Sequence, residues 1–263
     1  MVMHDLLATL SGTLVGFVLG LIGGGGSILA VPLLVYVVGG SSPHVAIGTS
    51  AIAVALSALF TLTGHARQGH VKWRCALVFA AAGTVGAALG STFGKQFDGQ
   101  KLLVLFGALM IVVAALMFFK KSNEGNIDVR LNLKSAPDLL PLLLMSGVGV
   151  GTLSGFFGIG GGFLVVPGLM AATDMPLIFA IGSSLVSVAA FGFTTAGNYA
   201  LSGLIDWPLV AFFIGGAALG GLAGRRSADA LASKKQLLSQ TFAGIVAAVG
   251  IYVVARGYPA FIG

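Results

Sequence analysis

Two glycine clusters, GGGGS at Gly23 to Ser27 and GIGGG at Gly158 to Gly162, hold the groups in this chain best suited to chemistry. Each lies inside an apolar run, where a helix interrupted by glycine frees backbone N–H and C=O groups. Each freed group costs several kcal/mol if it faces lipid, so such a break belongs inside protein or beside a water-filled cavity. The arms that follow, starting near Ser27 and Phe163, would aim unpaired N–H groups and a positive dipole end at that cavity. Two such ends make an anion site, with Gly24, Gly25, Gly26, Ser27, Gly160, Gly161 and Gly162 as its candidate residues. The hydroxyl pairs Thr49 with Ser50 and Ser183 with Ser184 could add neutral donors to an oxyanion without the cost of a buried charge. Bonding back to their own helix is the plainer alternative. His65 and Asn198, each just after a glycine, either cap a helix end or gate the cavity. Close helix packing is the competing role for glycine, and it accounts for Gly83, Gly86, Gly90, Gly215, Gly216, Gly220, Gly221 and Gly224.

The rest of the chain narrows the chemistry. Of 263 residues 57% are hydrophobic and 8% charged, against about 25% charged in a soluble domain. That excludes an ordinary globular enzyme, and disorder would need the opposite balance. The net charge of +6 is spread between apolar runs instead of being gathered on one face, so no nucleic acid partner is expected. Predicted spans contain no Asp, Glu, Lys or Arg, which disfavours a carboxylate proton relay. Asp174 and Asp206 fall at loop boundaries and read as solvated. Neither a Ser–His pair nor a carboxylate pair sits within reach, so no catalytic residues are expected. Clustered His, Cys or acids are also missing, so no metal and no cofactor are expected. Cys75 stands alone, which leaves it no disulfide, and it reads as a helix residue near a membrane face. The opening Met1 to Asp5 lacks the basic start of a signal peptide, so nothing is expected to be removed before the fold is read.

Cutting at every charged residue leaves seven charge-free runs, 6–66, 75–94, 102–119, 139–173, 175–205, 207–224 and 236–255, each long enough for a spanning helix. The polar stretch 120–138 lies near the midpoint and divides the chain into a first transmembrane repeat, 1–119, a cytoplasmic linker, 120–138, and a second repeat, 139–263. Gly16 to Pro32 matches Gly151 to Pro167 at eight of seventeen positions with an offset of 135. AIGTS at 46–50 matches AIGSS at 180–184 at an offset of 134, and so do Trp73 with Trp207, Gly86 with Gly220 and Gly90 with Gly224.

Each repeat predicts a glycine-broken segment, about 6–39 or 139–173, and three helices, near 44–64, 75–94 and 102–119 or 176–200, 207–224 and 236–255. The arms after the breaks, about 27–38 and 163–172, are too short to cross a core about 30 Å thick, so each is part of a re-entrant hairpin or of a broken helix. If the segments turn back, the repeats insert upside down, and eleven Lys and Arg collect on one face against three on the other; a single crossing gives eight against six. Positive residues mark the cytoplasmic side, so the expected fold is an all-α polytopic membrane protein of two inverted-topology repeats, an architecture of secondary transporters.

The duplicated GLIGGGGSILAVPLL and GFFGIGGGFLVVPGL, each followed by AIGTS or AIGSS, resemble the sulfite exporter TauE/SafE family of bacterial and plant permeases over essentially the whole chain. The resemblance implies transport of sulfur-containing anions such as sulfite, thiosulfate, sulfoacetate or other organosulfonates, without an enzymatic step. It carries the site onto Gly24–Ser27 and Gly160–Gly162. Ser27 becomes Gly162 in the second copy, so the half-sites are chemically unlike. The expected protein is a multi-pass transporter of the bacterial cytoplasmic membrane, with a small anion and the lipid bilayer as its partners. The repeats would alternate access by rocking or gating. An anion channel, a carrier of another small anion and an intramembrane sensor are the alternatives. Na⁺ held by backbone carbonyls stays open as a coupling ion, and oligomeric state, substrate and direction are not encoded legibly.

Overall fold

The computed structural model describes residues 2–22, 24–39, 42–119, 126, 129, 131, 135–160, 162–230 and 235–258, and these are helical apart from turns and short connections. Helix α1 spans Val2–Ile22. A first arm follows, made of a 3-10 helix at Gly24–Leu29, the single turn α2 at Ala30–Pro32 and a π-helix at Leu33–Val38. Pro32 has no N–H to give to the ladder, and the backbone widens right after it. Three long helices complete this part: α3 at Pro43–Arg67, α4 at Trp73–Gly94 and α5 at Gly99–Phe119. Beyond the linker come α6 at Ala136–Phe157, the second arm α7 at Gly162–Thr173, α8 at Leu177–Ala200, α9 at Trp207–Ala230 and α10 at Lys235–Gly257.

Among the described residues seven helices are long and apolar enough to cross a membrane, namely α1, α3, α4, α5, α6, α8 and α9. The chain is therefore an all-α, multi-pass membrane protein. Leu10, Leu14, Phe60, Leu89, Phe93 and Leu116 are exposed on the outside of the bundle, as side chains facing acyl chains would be. Trp73 and Trp207 are also exposed, at the starts of α4 and α9, where an aromatic belt meets the headgroups. Local chemistry sets the helix starts. Ser42 accepts the Val45 N–H ahead of Pro43, and Asp98 Oδ1 accepts the N–H groups of Gln100 (2.9 Å) and Lys101 (3.0 Å) before α5. Asp206 Oδ1 accepts from Leu209 N at 3.0 Å and so caps α9. The sequence reading left that carboxylate in solvent, but it is half-buried at a helix start.

Both arms turn back. The first ends beside the start of α1, where His4 Nε2 lies 2.8 Å from Gly39 O. The second runs back along α6, with Gly168 against Val150.

Packing exchanges partners across the linker. Helix α1 lies against α9, and α4 lies against α6. Glycine makes both seams. Gly12 and Gly16 touch the backbone of Phe213 and Ala217, while Gly216, Gly220 and Gly224 touch that of Thr9, Thr13 and Phe17. In the second seam Gly147, Gly151 and Gly155 meet Phe79, Gly83 and Ala87, and Gly90 meets Thr152. Residue numbers rise together along each seam, so each pair is parallel. By contrast α3 runs antiparallel to α8, with Gly48 by Tyr199 and Gly192 by Ala51 and Ala55. Helices α5 and α10 are likewise antiparallel, with Gly107 by Gly250 and Gly257 by Val104. Of the eight glycines read as packing residues, Gly215 has open space where a side chain would be and Gly221 makes only one ordinary contact; the other six hold the seams.

Candidate functional site

The arms of the two breaks meet inside the bundle, because α7 packs against the 3-10 turn of the first arm. The breaks are built differently. At the first, a β-carbon on Gly26 would stand 2.6 Å from Leu19 N and 2.8 Å from Val15 O, so this glycine is required by close packing on α1. Ser27 next to it is fully buried, and Gly24 and Gly25 form the start of the 3-10 turn. At the second break, Gly158 caps α6 in the left-handed conformation (φ +67°), and Gly160 follows at φ +65°. Side chains rarely adopt that backbone, whereas glycine does so freely. Gly160 also has more room, with Val54 Cγ1 at 3.2 Å and the Gly192 Cα at 4.0 Å from where its β-carbon would be. Gly162 opens α7, and Gly161 lies outside the described residues.

The hydroxyl pairs occupy matching places in the two parts of the chain. Thr49 Oγ1 accepts the Asp206 N–H at 3.0 Å, and Ser183 Oγ accepts the Lys72 N–H at 2.9 Å. Donors and acceptors alike are 134 residues apart, so each hydroxyl fastens the loop that begins the other part's next helix. Ser50 and Ser184 donate back to Ile47 O (3.0 Å) and Ile181 O (2.8 Å) of their own helices. All four are buried.

The two gate candidates sit at opposite ends of the antiparallel pair α3 and α8. His65 lies in the last turn of α3 with its ring 6.0 Å from that of His70, which in turn stands edge-on to Phe179 at 6.1 Å. Asn198 sits in the last turn of α8 and is held from three directions. Its Nδ2 donates to Ser91 Oγ (2.7 Å) and Thr92 Oγ1 (2.9 Å), and Lys95 Nζ donates to its Oδ1 (2.8 Å) and its carbonyl (2.9 Å). Lys95 also donates to Ser202 Oγ at 2.8 Å. This clasp joins the end of α4 to the end of α8. The reach of Lys95 to a residue 103 positions away has no local signal in the sequence. Ser154, Ser187 and Thr195, hydroxyls within apolar runs, carry no such signal in the sequence either. They are fully buried, and their oxygens have no hydrogen-bond partner among the described residues.

Two cavities lie away from the breaks. One of about 230 Å³ is walled by Ser57 and Thr61 of α3 and by Ile214, Ala217 and Gly221 of α9. Its hydroxyls are occupied, donating to Ala53 O (2.8 Å) and Ser57 O (2.9 Å). The other, of about 480 Å³, lies at the start of α4 between Lys72, Arg74 and Cys75 and the linker residues Val129 and Leu131. Arg74 Nη1 donates to Leu131 O at 3.2 Å across it.

Spanning helices, two interrupted hairpins meeting in the bundle and buried hydroxyls without charged partners define a polytopic membrane protein of transporter type. The family model of the sulfite exporter TauE/SafE matches residues 8–253, and the chain belongs to that family of membrane transporters. It is 48% identical to a "Probable membrane transporter protein" of Xylella fastidiosa (strain Temecula1 / ATCC 700964) over 265 residues, which covers 100% of both chains. It is 27% identical over 239 residues to "Probable membrane transporter protein YunE" of Bacillus subtilis (strain 168), covering 84% of this chain and 88% of that one. It is 28% identical over 194 residues to "Probable membrane transporter protein MJ0441" of Methanocaldococcus jannaschii, covering 70% and 68%. No solved structure matches the chain.

Proposed function

We propose that this chain is a secondary transporter moving a small sulfur-containing anion, such as sulfite, thiosulfate, sulfoacetate or another organosulfonate, across the cell membrane by alternating access. The observation that carries the reading is the meeting of the two interrupted hairpins inside the bundle, where freed amides are shielded from lipid. Family membership supports a sulfur anion. Two oppositely inserted repeats belong to the same proposal. The antiparallel courses of α3 against α8 and of α5 against α10 support it, as does the return of both arms. On this reading the linker is cytoplasmic, with eleven of the fourteen Lys and Arg on its side.

The test is uptake by purified protein in liposomes, comparing sulfite, thiosulfate, sulfate and an organosulfonate. A carrier accelerates uptake when unlabelled substrate is trapped inside; a channel gives flux without that stimulation. A bulky residue at Gly25 or Gly160 should abolish flux while insertion is kept. Flux surviving both changes would move the site away from the breaks.

A further inference from the structure

We propose that the anion's oxygens are held from the second break, by the hydroxyls of Ser154 and Thr195 together with the amides that open α7. This rests on the transport reading above and deepens it. Both side chains are 0% exposed, and both oxygens lack a partner among the described residues. That is unusual for a hydroxyl on a helix, which can turn back to a carbonyl one turn earlier, as Ser50, Thr61, Thr84, Ser184 and Thr194 do. A fully buried hydroxyl that forgoes this bond, with no partner among the described residues, leaves a donor for a bound ligand.

Both lie around the same turn. Ser154 is one turn before the left-handed cap at Gly158, and its carbonyl accepts the Ile159 N–H at 3.1 Å. Thr195 is one turn beyond Gly192, the residue whose Cα lies 4.0 Å from the β-carbon position of Gly160. Helix α7, twelve residues long, begins at Gly162, and its first N–H groups have no carbonyl within the helix to bond. Hydroxyl and amide donors without a nearby carboxylate suit a small oxyanion with several acceptor oxygens, that is, sulfite or a sulfonate head. Among the described residues, the matching positions at the first break differ. The counterpart of Thr195, Thr61, spends its hydroxyl on Ser57 O (2.9 Å), and the counterpart of Ser154 is Leu19, packed against Gly26. Ser187, two turns before Thr195 and equally unpartnered among the described residues, continues the polar row along α8.

The experiment measures sulfite and ethanesulfonate flux in proteoliposomes together with thermal unfolding of the purified protein with and without each anion, for wild type, S154A, T195V, T195S and T61V. The expected result for S154A and T195V is a KM raised about tenfold or more, from loss of one hydrogen bond to a charged ligand. Their unfolding temperatures without anion should equal or exceed wild type, and the anion-induced stabilisation should shrink. T195S should restore wild-type KM, and T61V should leave it unchanged. Wild-type KM in S154A and T195V, with wild-type flux intact, would overturn the hydroxyl assignment alone and leave only a buried water there. So would variants that unfold early and are not rescued by T195S. A wild type showing neither flux nor stabilisation with any anion would overturn the transport reading, and this assignment with it.

Discussion

The two chain breaks share a composition and differ in construction. At the first, glycine is consumed by contact, because Gly26 presses on the backbone of α1 and leaves no room for a methyl group. At the second, glycine is required by conformation, because Gly158 and Gly160 occupy left-handed backbone. The first break is thus a packing joint, and the second is a left-handed turn. The difference teaches that a glycine run in a membrane helix must be read position by position, since sterics at one glycine and backbone angle at another penalise the same substitution for different reasons.

That contrast can be broken from either side. Gly158→Val adds a β-carbon that meets Ile47 Cγ2 in a backbone that disfavours it. It should cost about 3 kcal/mol or more, measured as a large fall in unfolding temperature and in folded yield. Gly26→Ala meets rigid backbone at ordinary φ and should cost about 1–3 kcal/mol, seen in the same assay. If Gly26→Ala is neutral, the first break is looser than its contacts imply. Gly160→Ala should cost about 1–2 kcal/mol, from its φ and from a 3.2 Å contact with Val54 Cγ1, and should lower flux severely if this turn is where the anion sits. Unchanged flux would make the second break structural too. Thr49→Val and Ser183→Ala each remove the acceptor for one loop amide and should each destabilise by about 1 kcal/mol, with substrate KM unaltered. A selective rise in KM for either would return these hydroxyls to the site.

Much of the fold is legible in the sequence because lipid enforces simple patterns. Helix limits follow the charge-free runs to within a few residues, and the glycine breaks fall where the apolar segments must turn. The exchange of partners across the linker is not legible. Every apolar helix offers similar side chains, and only the register of small residues, such as Gly83 against Gly151 and Gly16 against Ala217, decides which neighbour fits. Of the proposed site, the glycine clusters are legible in the sequence. Its finer roles are not, because a side chain's direction depends on what stands opposite. Thr49 and Thr195 look alike in sequence, yet one holds a loop amide and the other has no partner among the described residues. Lys95 reads as a topogenic charge, and only the end of α8 beside it turns it into a clasp.

The glycine seams bear on how the molecule is made. Helix α1 leaves the ribosome well before α9, the helix whose groove receives it. At about 5–20 residues per second the gap lasts on the order of 10–40 s. Through that wait the small-residue stripe of α1 must rest against lipid or an insertion chaperone. A nascent chain stalled before α9 would be left with that stripe bare, a natural mark for membrane quality control.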